Sequence, residues 1–209
     1  MIQYILFDLD NTLYSAQYGL EDKVQNRIRE YIARYLGTSI EDGWRQRKEK
    51  TVQYGTALEW LTVEKGLKDP EDYLTAIHPE NEADDLKADP ALREFLKSLP
   101  VPLAILTNSP MEHAELFLGK LGIRDLFTHI FDIRFNNLKG KPRPDTFYRA
   151  LGILGFPAEQ VLFIDDYPHY ITGYHELGGK GLLLDEFDKH PDFPLPRIKN
   201  LRQLVEYLE

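Results

Sequence analysis

The sequence predicts an α/β protein: a doubly wound, Rossmann-like parallel sheet with a segment of helices inserted after the first strand. From residue 86 to residue 209, short apolar runs typical of buried strands alternate with amphipathic segments typical of helices. Such alternation produces a parallel sheet with helices on both faces. Residues 15–85, which follow the first strand, show helical patterns only. We therefore predict a core formed by residues 1–14 and 86–209, with 15–85 as an inserted helical unit.

The insertion is predicted to contain three helices with recognisable ends. Apolar residues three and four positions apart predict the first helix, which ends at Gly37. Thr56-x-x-Glu59 has the form of a capping box, and Asp69-Pro70 has the form of an N-cap followed by a first-turn proline. The predicted elements are helices over 20–37, 56–66 and 69–77, followed by an acidic linker over 79–85.

The core elements are predicted from apolar runs and from helix-capping residues. Ile2–Phe7 is a short apolar run typical of a buried strand. Asp89-Pro90 and Ser109-Pro110 each have the form of a helix start. After the first strand, the predicted elements are strands over 101–106, 129–133, 161–164 and 182–184, and helices over 89–99, 109–122, 145–154, 171–177 and 201–208.

Composition excludes several classes of function. A net charge of −9 and an isoelectric point near 5.2 argue against a nucleic-acid polymer as partner, because phosphate backbones are bound by basic surfaces. No apolar run approaches the roughly 18 residues that span a bilayer, so we expect no membrane partner. No basic segment precedes the first strand, so we expect no signal peptide and a cytoplasmic location. The chain has no cysteine, so its chemistry must use other side chains. The oligomeric state stays open between monomer and dimer.

Polar residues follow four of the predicted strands, at or just beyond the point where each strand ends. They are Asp8 and Asp10, Thr107 and Asn108, Lys141, and Asp165 and Asp166. The carboxyl ends of parallel strands meet at one rim of a sheet, where ligands bind. Four acids around one lysine suit a divalent cation such as Mg²⁺, and a phosphate would complete the charge balance. A carboxylate there can attack phosphorus while a second acid serves the leaving oxygen and then water.

Four motifs at these strand ends resemble, in order and across nearly the whole chain, those of the haloacid dehalogenase-like hydrolases. The helical insertion resembles the small helical cap of that family, and we call residues 15–85 the cap. The motifs are Phe7-Asp8-Leu9-Asp10-Asn11-Thr12-Leu13, Leu106-Thr107-Asn108-Ser109, Gly140-Lys141-Pro142-Arg143-Pro144 and Phe163-Ile164-Asp165-Asp166.

Individual residues within and near these motifs are most similar to those of the pyrimidine 5′-nucleotidase branch of that superfamily. The resemblance therefore implies a phosphomonoester hydrolase that acts on a nucleoside monophosphate or another small phosphorylated metabolite. These features are Asn11-Thr12-Leu13-Tyr14, Tyr54-Gly55 before a helix, Thr107-Asn108-Ser109 with His113-Ala114, and the adjacent pair Asp165-Asp166.

The resemblance implies a role for each catalytic and phosphate-binding residue. Asp8 would be the nucleophile that forms an aspartyl-phosphate, and Asp10 would be the general acid and base. Thr107 and the backbone amide of Asn108 would bind phosphoryl oxygens. Lys141 would neutralise both Asp8 and the phosphate.

The same resemblance implies Mg²⁺ as the cofactor. Asp8, the backbone carbonyl of Asp10 and Asp166 would be direct ligands, and Asp165 would act through water. Family members often carry serine and an acid or asparagine where this chain has Tyr167 and Tyr170. Branches with two adjacent acids at the fourth motif manage without the later acid, so the effect of these tyrosines on metal affinity stays open.

Other interpretations of the same residues remain. Lys139 competes with Lys141 as the motif lysine, but the Lys-Pro-x-Pro spacing favours Lys141. His113 is interpreted as an ordinary residue of a helix's first turn. A sugar-phosphate mutase or phosphotransferase would pass the phosphoryl group to a hydroxyl group instead of water. A non-catalytic phosphate-binding module is a further alternative, against which the presence of both Asp8 and Asp10 argues.

Overall fold

Six parallel strands form one sheet in a computed structural model of the protein, which describes residues 1–50 and 53–208. The order of the strands across the sheet is β3-β2-β1-β4-β5-β6, so the first strand lies in the interior of the sheet. The strands are β1 (Tyr4–Phe7), β2 (Leu103–Leu106), β3 (Phe127–Phe131), β4 (Val161–Asp165), β5 (Lys180–Leu184) and β6 (Arg197–Ile198).

Eight α-helices connect or precede these strands in the described part of the chain, and five of them lie between β1 and β2. None of the described helices is both long and apolar enough to cross a membrane. The helices are α1 (Leu20–Leu36), α2 (Ile40–Glu49), α3 (Ala57–Val63), α4 (Pro70–Ile77), α5 (Pro90–Lys97), α6 (Met111–Leu121), α7 (Pro144–Leu154) and α8 (Pro168–Glu176).

The doubly wound parallel sheet predicted from the sequence is confirmed, and the packing on β1 explains it. Ile5 and Phe7 of β1 point into one apolar cluster, whereas Tyr4 and Leu6 point into a second cluster on the opposite face. A strand that is covered on both faces needs apolar residues at every position. This is why β1 is an unbroken apolar run, buried at all four residues.

The cap helices have an apolar cluster of their own. Trp60 and Ile32 are fully buried in this cluster, and α1 and α4 both contribute to it. Ile133, from the loop after β3, also belongs to this cluster, so the cap helices pack against the carboxyl-end side of the sheet. The division into a core and a cap at residues 15–85 stays our prediction.

Several predicted boundaries are wrong by small amounts. The strand predicted over 129–133 lies at Phe127–Phe131, because β3 is an edge strand in which polar residues occupy exposed positions. The predicted final α-helix is a 3₁₀ helix over Leu201–Tyr207, and β6 was not predicted. The helix predicted to end near 66 ends at Val63.

The acidic stretch 79–85 joins α4 to α5, as the predicted linker does, but two of its residues are buried. Glu82 and Ala83 are buried, with 8% and 0% of their surface exposed. Glu82 has basic partners on three sides: Arg27 of α1, His78 at the end of α4, and His113 of α6. Paired charges can be buried at such a position because each has an oppositely charged or hydrogen-bonding neighbour.

Candidate active site

Asp8, Lys141 and Asp165 form a buried triad at the carboxyl end of the sheet. Asp8 directly follows β1, and Asp165 is the last residue of the neighbouring strand β4. Lys141 Nζ lies 2.6 Å from Asp8 Oδ1 and 2.5 Å from Asp165 Oδ2. The structure therefore brings together residues from three of the four predicted motifs. Lys139, the competing lysine, is exposed.

The triad, with Asp166, carries more negative than positive charge. Burial raises the pKa of Asp8 to about 8, with Lys141 acting in the opposite direction and Asp165 adding to the rise. Burial also raises the pKa of Asp165 to about 6, and burial together with the charge of Asp8 raises that of Asp166 to about 7. Burial lowers the pKa of Lys141, but its two acidic neighbours outweigh this and raise it. An added cation would relieve this repulsion.

The acids fit a divalent cation such as Mg²⁺. Asp8, Asp165 and Asp166 each offer a carboxylate oxygen, and these atoms lie within 4.8 Å of one another. Asp165 already accepts hydrogen bonds at both oxygens, one from Lys141 Nζ and one from the Tyr167 amide. Among the described residues, Asp166 accepts a single hydrogen bond, from Asn11 Nδ2 at 3.3 Å. Carboxylate oxygens are the ligands that hard cations prefer, so the residues suit the predicted cofactor.

Asp10 lies in a different environment from Asp8. Its Oδ1 accepts hydrogen bonds from Tyr14 Oη at 2.6 Å and from His113 Nε2 at 2.7 Å, and its Oδ2 accepts one from Ser109 Oγ at 3.0 Å. Burial acts to raise the pKa of Asp10, but the charge of His113 and the hydrogen bonds outweigh it and lower the pKa. Asp10 is therefore held as a carboxylate in this structure.

The interpretation of His113 as an ordinary first-turn residue is wrong. His113 is buried on α6, and its Nδ1 lies 2.6 Å from Glu82 Oε1 while its Nε2 faces Asp10. Burial lowers the pKa of His113, but the two carboxylates outweigh this and raise it to about 10. Ser109 is also not the helix cap that its sequence predicts. Pro110 occupies the N-cap position of α6, and Ser109 instead donates to Asp10.

Thr107 and Asn108 connect the second motif to the loop of Lys141. Thr107 Oγ1 accepts from the Ser109 amide at 3.0 Å, which fixes the turn after β2. Asn108 Oδ1 accepts from the Lys141 amide at 2.7 Å, and Asn108 Nδ2 donates to the Lys141 carbonyl at 3.3 Å. In the described part of the chain, the Asn108 backbone amide donates no hydrogen bond. The predicted phosphate-binding amide is thus available at the site.

Gly140 allows this close approach of the two loops. A Cβ atom at Gly140 would lie 2.5 Å from Asn108 Oδ1 and 2.6 Å from Thr56 Cγ2. Any side chain at this position would therefore separate Lys141 from Asn108 or displace the start of α3.

Tyr170 occupies the position where the family pattern led us to expect an acid. Its ring lies 5.0 Å from Lys141 Nζ, and its hydroxyl oxygen accepts a hydrogen bond from Asn108 Nδ2 at 3.2 Å. An aromatic ring at this distance attracts a cation without adding a negative charge. Tyr167 is more than half exposed, and its ring lies 5.1 Å from that of Tyr170.

The cap packs directly on the Lys141 loop. Arg143 Nη2 lies 2.7 Å from Glu59 Oε1, and Glu59 Oε2 accepts from the Gly55 amide at 3.0 Å. The predicted capping box is therefore half present: Thr56 Oγ1 caps the Glu59 amide, but Glu59 caps Gly55 rather than Thr56. A Cβ atom at Gly55 would lie 3.0 Å from the Lys141 carbonyl oxygen. The cap thus covers the site from the side of α3.

A sequence model of the haloacid dehalogenase-like hydrolases matches residues 2–171 of the chain. The chain is 27% identical over 183 residues to a phosphoglycolate phosphatase of Haemophilus influenzae, and the match covers 82% of this chain and 80% of that protein. It is 29% identical over 178 residues to a glyceraldehyde 3-phosphate phosphatase of Pyrococcus abyssi, and this match covers 79% of this chain and 74% of that protein.

Solved structures share the fold over almost the whole chain. An L-2-haloacid dehalogenase superposes with a TM-score of 0.66 at 19% sequence identity, covering 99% of this chain and 98% of that one. The HAD-hydrolase YfnB from Bacillus subtilis, whose structure is described as bound to magnesium and as revealing interdomain movement, superposes with a TM-score of 0.62 at 20% identity. That match covers 100% of this chain and 99% of YfnB.

Proposed function

The chain belongs to the haloacid dehalogenase-like hydrolase family, and from this premise we propose that it hydrolyses phosphomonoesters of small metabolites through a phosphorylated Asp8. The observation that carries the proposal is the contact of Asp8 with Lys141 at the carboxyl end of the sheet, with Asp10 two residues further on. The phosphatase names of the two relatives support this reaction class.

In the first step, an Asp8 carboxylate oxygen attacks phosphorus and the bond between phosphorus and the ester oxygen breaks. Lys141, Thr107 and the Asn108 amide hold the phosphoryl oxygens. The departing oxygen takes a proton from Asp10. The hydrogen bonds to Asp10 favour its carboxylate form when no ligand is bound, and the negative charge of a bound phosphate ester opposes this and favours the protonated form.

In the second step, water attacks the phosphorus atom of the aspartyl-phosphate. Asp10, now a carboxylate, accepts a proton from this water molecule as the bond between phosphorus and Asp8 breaks. Inorganic phosphate leaves, and Asp8 is regenerated. The environment of Asp10 supports this role, because its three hydrogen-bond donors stabilise the carboxylate that the step requires.

We propose that Mg²⁺ is held by Asp8, Asp166 and the backbone carbonyl of Asp10, with Asp165 acting through water. When bound, the ion neutralises the charge on the phosphoryl oxygens and on the acids. The acid cluster supports this assignment, as does the magnesium named in the description of YfnB.

For the substrate, we propose a nucleoside monophosphate, and the cap residues 15–85 would select it. The support is the resemblance of Asn11–Tyr14, Tyr54-Gly55 and the second motif to the pyrimidine 5′-nucleotidase branch. The names of the relatives favour short phosphorylated acids and aldehydes instead, so the substrate screen must include both groups. A cytoplasmic location stays a prediction.

A turnover screen tests the proposal. Purified protein with Mg²⁺ would be assayed for phosphate release from nucleoside monophosphates, sugar phosphates, phosphoglycolate and glyceraldehyde 3-phosphate, with Asp8→Asn as the matched control. We expect release by the parent protein only. If pyrimidine nucleotides are not among the better substrates, the nucleotidase assignment is wrong while the reaction class stands. An isomerised phosphate without free phosphate would identify a mutase, and no turnover of any ester would favour a non-catalytic module.

A further inference from the structure

A buried chain of charged residues connects Asp10 to the cap. His113 Nε2 lies 2.7 Å from Asp10 Oδ1, and His113 Nδ1 lies 2.6 Å from Glu82 Oε1. Glu82 Oε2 lies 2.9 Å from Arg27 Nη2. These residues come from α6 of the core, from the stretch between α4 and α5, and from α1 of the cap. The chain therefore crosses from the sheet to the inserted helices.

The geometry fixes the ring of His113. Its side chain is fully buried, and each ring nitrogen faces a carboxylate at hydrogen-bond distance, so both nitrogens must donate. Glu82 is held in turn by Arg27, whose Nε also donates to the Ile77 carbonyl at 2.6 Å. Each member thus has one arrangement that satisfies both of its neighbours, and a change at one end leaves a buried charge without its partner.

A metal ion at this cluster is the competing interpretation, since His78, Glu82 and His113 offer ligand atoms within 4.8 Å of one another. Two observations argue against it. Arg27 already places a positive charge on Glu82, and His113 directs both of its ring nitrogens at carboxylates. A cation would have to displace the arginine and break a hydrogen bond of His113.

We propose that His113 is a positioning residue for Asp10, and that Glu82 and Arg27 make this positioning depend on the placement of the cap. The inference rests on the proposed function, because it concerns the acid and base of that reaction. When α1 lies as in this structure, Arg27 orients Glu82, Glu82 orients His113, and His113 directs Asp10. Arg27 and Glu82 both lie within residues 15–85, so movement of the cap away from the core separates Glu82 from His113 and releases the chain. Asp10 then reaches its working orientation only under a closed cap.

The test of His113 uses substrates with different leaving groups. Proton donation by Asp10 matters for an alkyl phosphate, whose alkoxide leaves poorly, but not for 4-nitrophenyl phosphate, whose phenolate leaves without a proton. We expect His113→Gln to lower kcat/KM for the best alkyl ester of the screen by ~10²-fold, and to lower that for the aryl ester by a much smaller factor. An equal loss for both esters would overturn the role, because a general structural defect affects both.

The test of the connection to the cap uses Arg27→Gln, with Lys23→Gln as its matched control. Lys23 also lies on α1 and pairs with the same acidic stretch, at 3.0 Å from Asp85 Oδ2, but both of these side chains are more than half exposed. We expect Arg27→Gln to lower the ratio of alkyl to aryl kcat/KM by about 5-fold or more, the size of a typical coupling between sites. We expect Lys23→Gln to match the parent. If Arg27→Gln also matches the parent, the cap does not control Asp10.

Glu82→Gln keeps the conclusion testable if His113→Gln does not fold. The glutamine oxygen can still accept from His113, but the negative charge that orients the ring and Arg27 is lost. Thermal unfolding of every variant shows which are folded, and we expect the folded Glu82→Gln variant to show the same selective loss on alkyl esters. An unchanged ratio in that variant would overturn the proposal. Absence of phosphate release by the parent from either ester would instead refute the proposed function itself.

Discussion

Asp166→Asn should stabilise the metal-free protein while it weakens Mg²⁺ binding. Burial and the charge of Asp8 raise the pKa of Asp166 from 3.8 to about 7. Below its ordinary pKa, the carboxyl group is protonated in both the folded and the unfolded states. As the pH rises towards 7, the unfolded chain ionises freely while the folded protein resists ionisation, so the free energy of unfolding falls.

The size of the effect follows from the pKa difference of about three. Each pKa unit corresponds to ~1.4 kcal/mol, so the Asp166 carboxylate lowers the free energy of unfolding by ~4 kcal/mol at pH 8. At pH 5 the carboxyl group is largely ionised in the unfolded chain and protonated in the folded protein, so the carboxylate lowers the free energy of unfolding by only ~2 kcal/mol. Asparagine removes this charge and keeps an acceptor for Asn11 Nδ2, which donates to Asp166 Oδ2 at 3.3 Å.

Urea unfolding in EDTA at pH 5 and pH 8 measures the effect. The control is Asp192→Asn, which removes an exposed acid, and its free energy of unfolding should stay within about 0.5 kcal/mol of the parent. Asp166→Asn should exceed the parent in stability, by more at pH 8 than at pH 5. With Mg²⁺ at ~100 times the dissociation constant of the parent, the parent should gain ~2.7 kcal/mol and the variant much less. The reasoning would be refuted if Asp166→Asn were less stable than the parent at pH 8 in EDTA, or if its gain in the free energy of unfolding were the same at pH 5 and pH 8.

Three further substitutions test the mechanism, the loop contact and the metal site. With an aryl phosphate, Asp10→Asn should accumulate one covalently bound phosphoryl group, detected by mass spectrometry, because the base for the second step is missing. The control Asp8→Asn should accumulate none. A phosphoryl group bound to Asp8→Asn would show that the nucleophile is another residue. Gly140→Ala should lower the free energy of unfolding by ~1–3 kcal/mol in urea titrations, because its Cβ would lie 2.5 Å from Asn108 Oδ1 and 2.6 Å from Thr56 Cγ2. The control Gly152→Ala should not destabilise the protein, because a Cβ atom there has no neighbouring atom within 4 Å. Tyr170→Asp should bind Mg²⁺ more tightly in calorimetry because it adds a carboxylate beside the acid cluster, and unchanged affinity would show that the existing acids suffice.

Local signals predicted three of the four described α-helices within residues 15–85, and the acids at the strand ends, but α2 (Ile40–Glu49) was not predicted. Gly37 adopts a left-handed conformation with φ 64° at the end of α1, and Asp69 caps α4 through its side chain, so each helix end depends on residues next to it in the sequence. Asp8 follows, and Asp165 ends, a strand that is buried on both faces, and such strands are evident as apolar runs.

The support of Asp10 could not be predicted, because it depends on contacts between distant parts of the chain. His113 lies 103 residues from Asp10 and 31 from Glu82 in sequence. No pattern around His113 or within 79–85 indicates that they meet, since that depends on how the cap packs on the sheet. The two-residue strand β6 escaped prediction for a related reason: its pairing with β5, rather than its own sequence, defines it.

The two acids of the first motif receive opposite electrostatic environments although one residue separates them. Burial raises the pKa of Asp8 to about 8, and the single ammonium group beside it is shared, because Lys141 Nζ also contacts Asp165. Asp10 has three hydrogen-bond donors of its own, and the charge of His113 together with the hydrogen bonds from His113 and Tyr14 outweighs burial and lowers its pKa. Carboxyl groups whose pKa values are pushed apart can take different roles in one reaction. In the proposed mechanism, Asp8 would need an added cation to act as an anionic nucleophile, because its lysine is shared, whereas the side chain of Asp10 is charge-balanced by the protein alone. This environment agrees with the assignment that the family resemblance implies, in which the metal is held by the backbone carbonyl of Asp10 and its carboxylate is left for proton transfer.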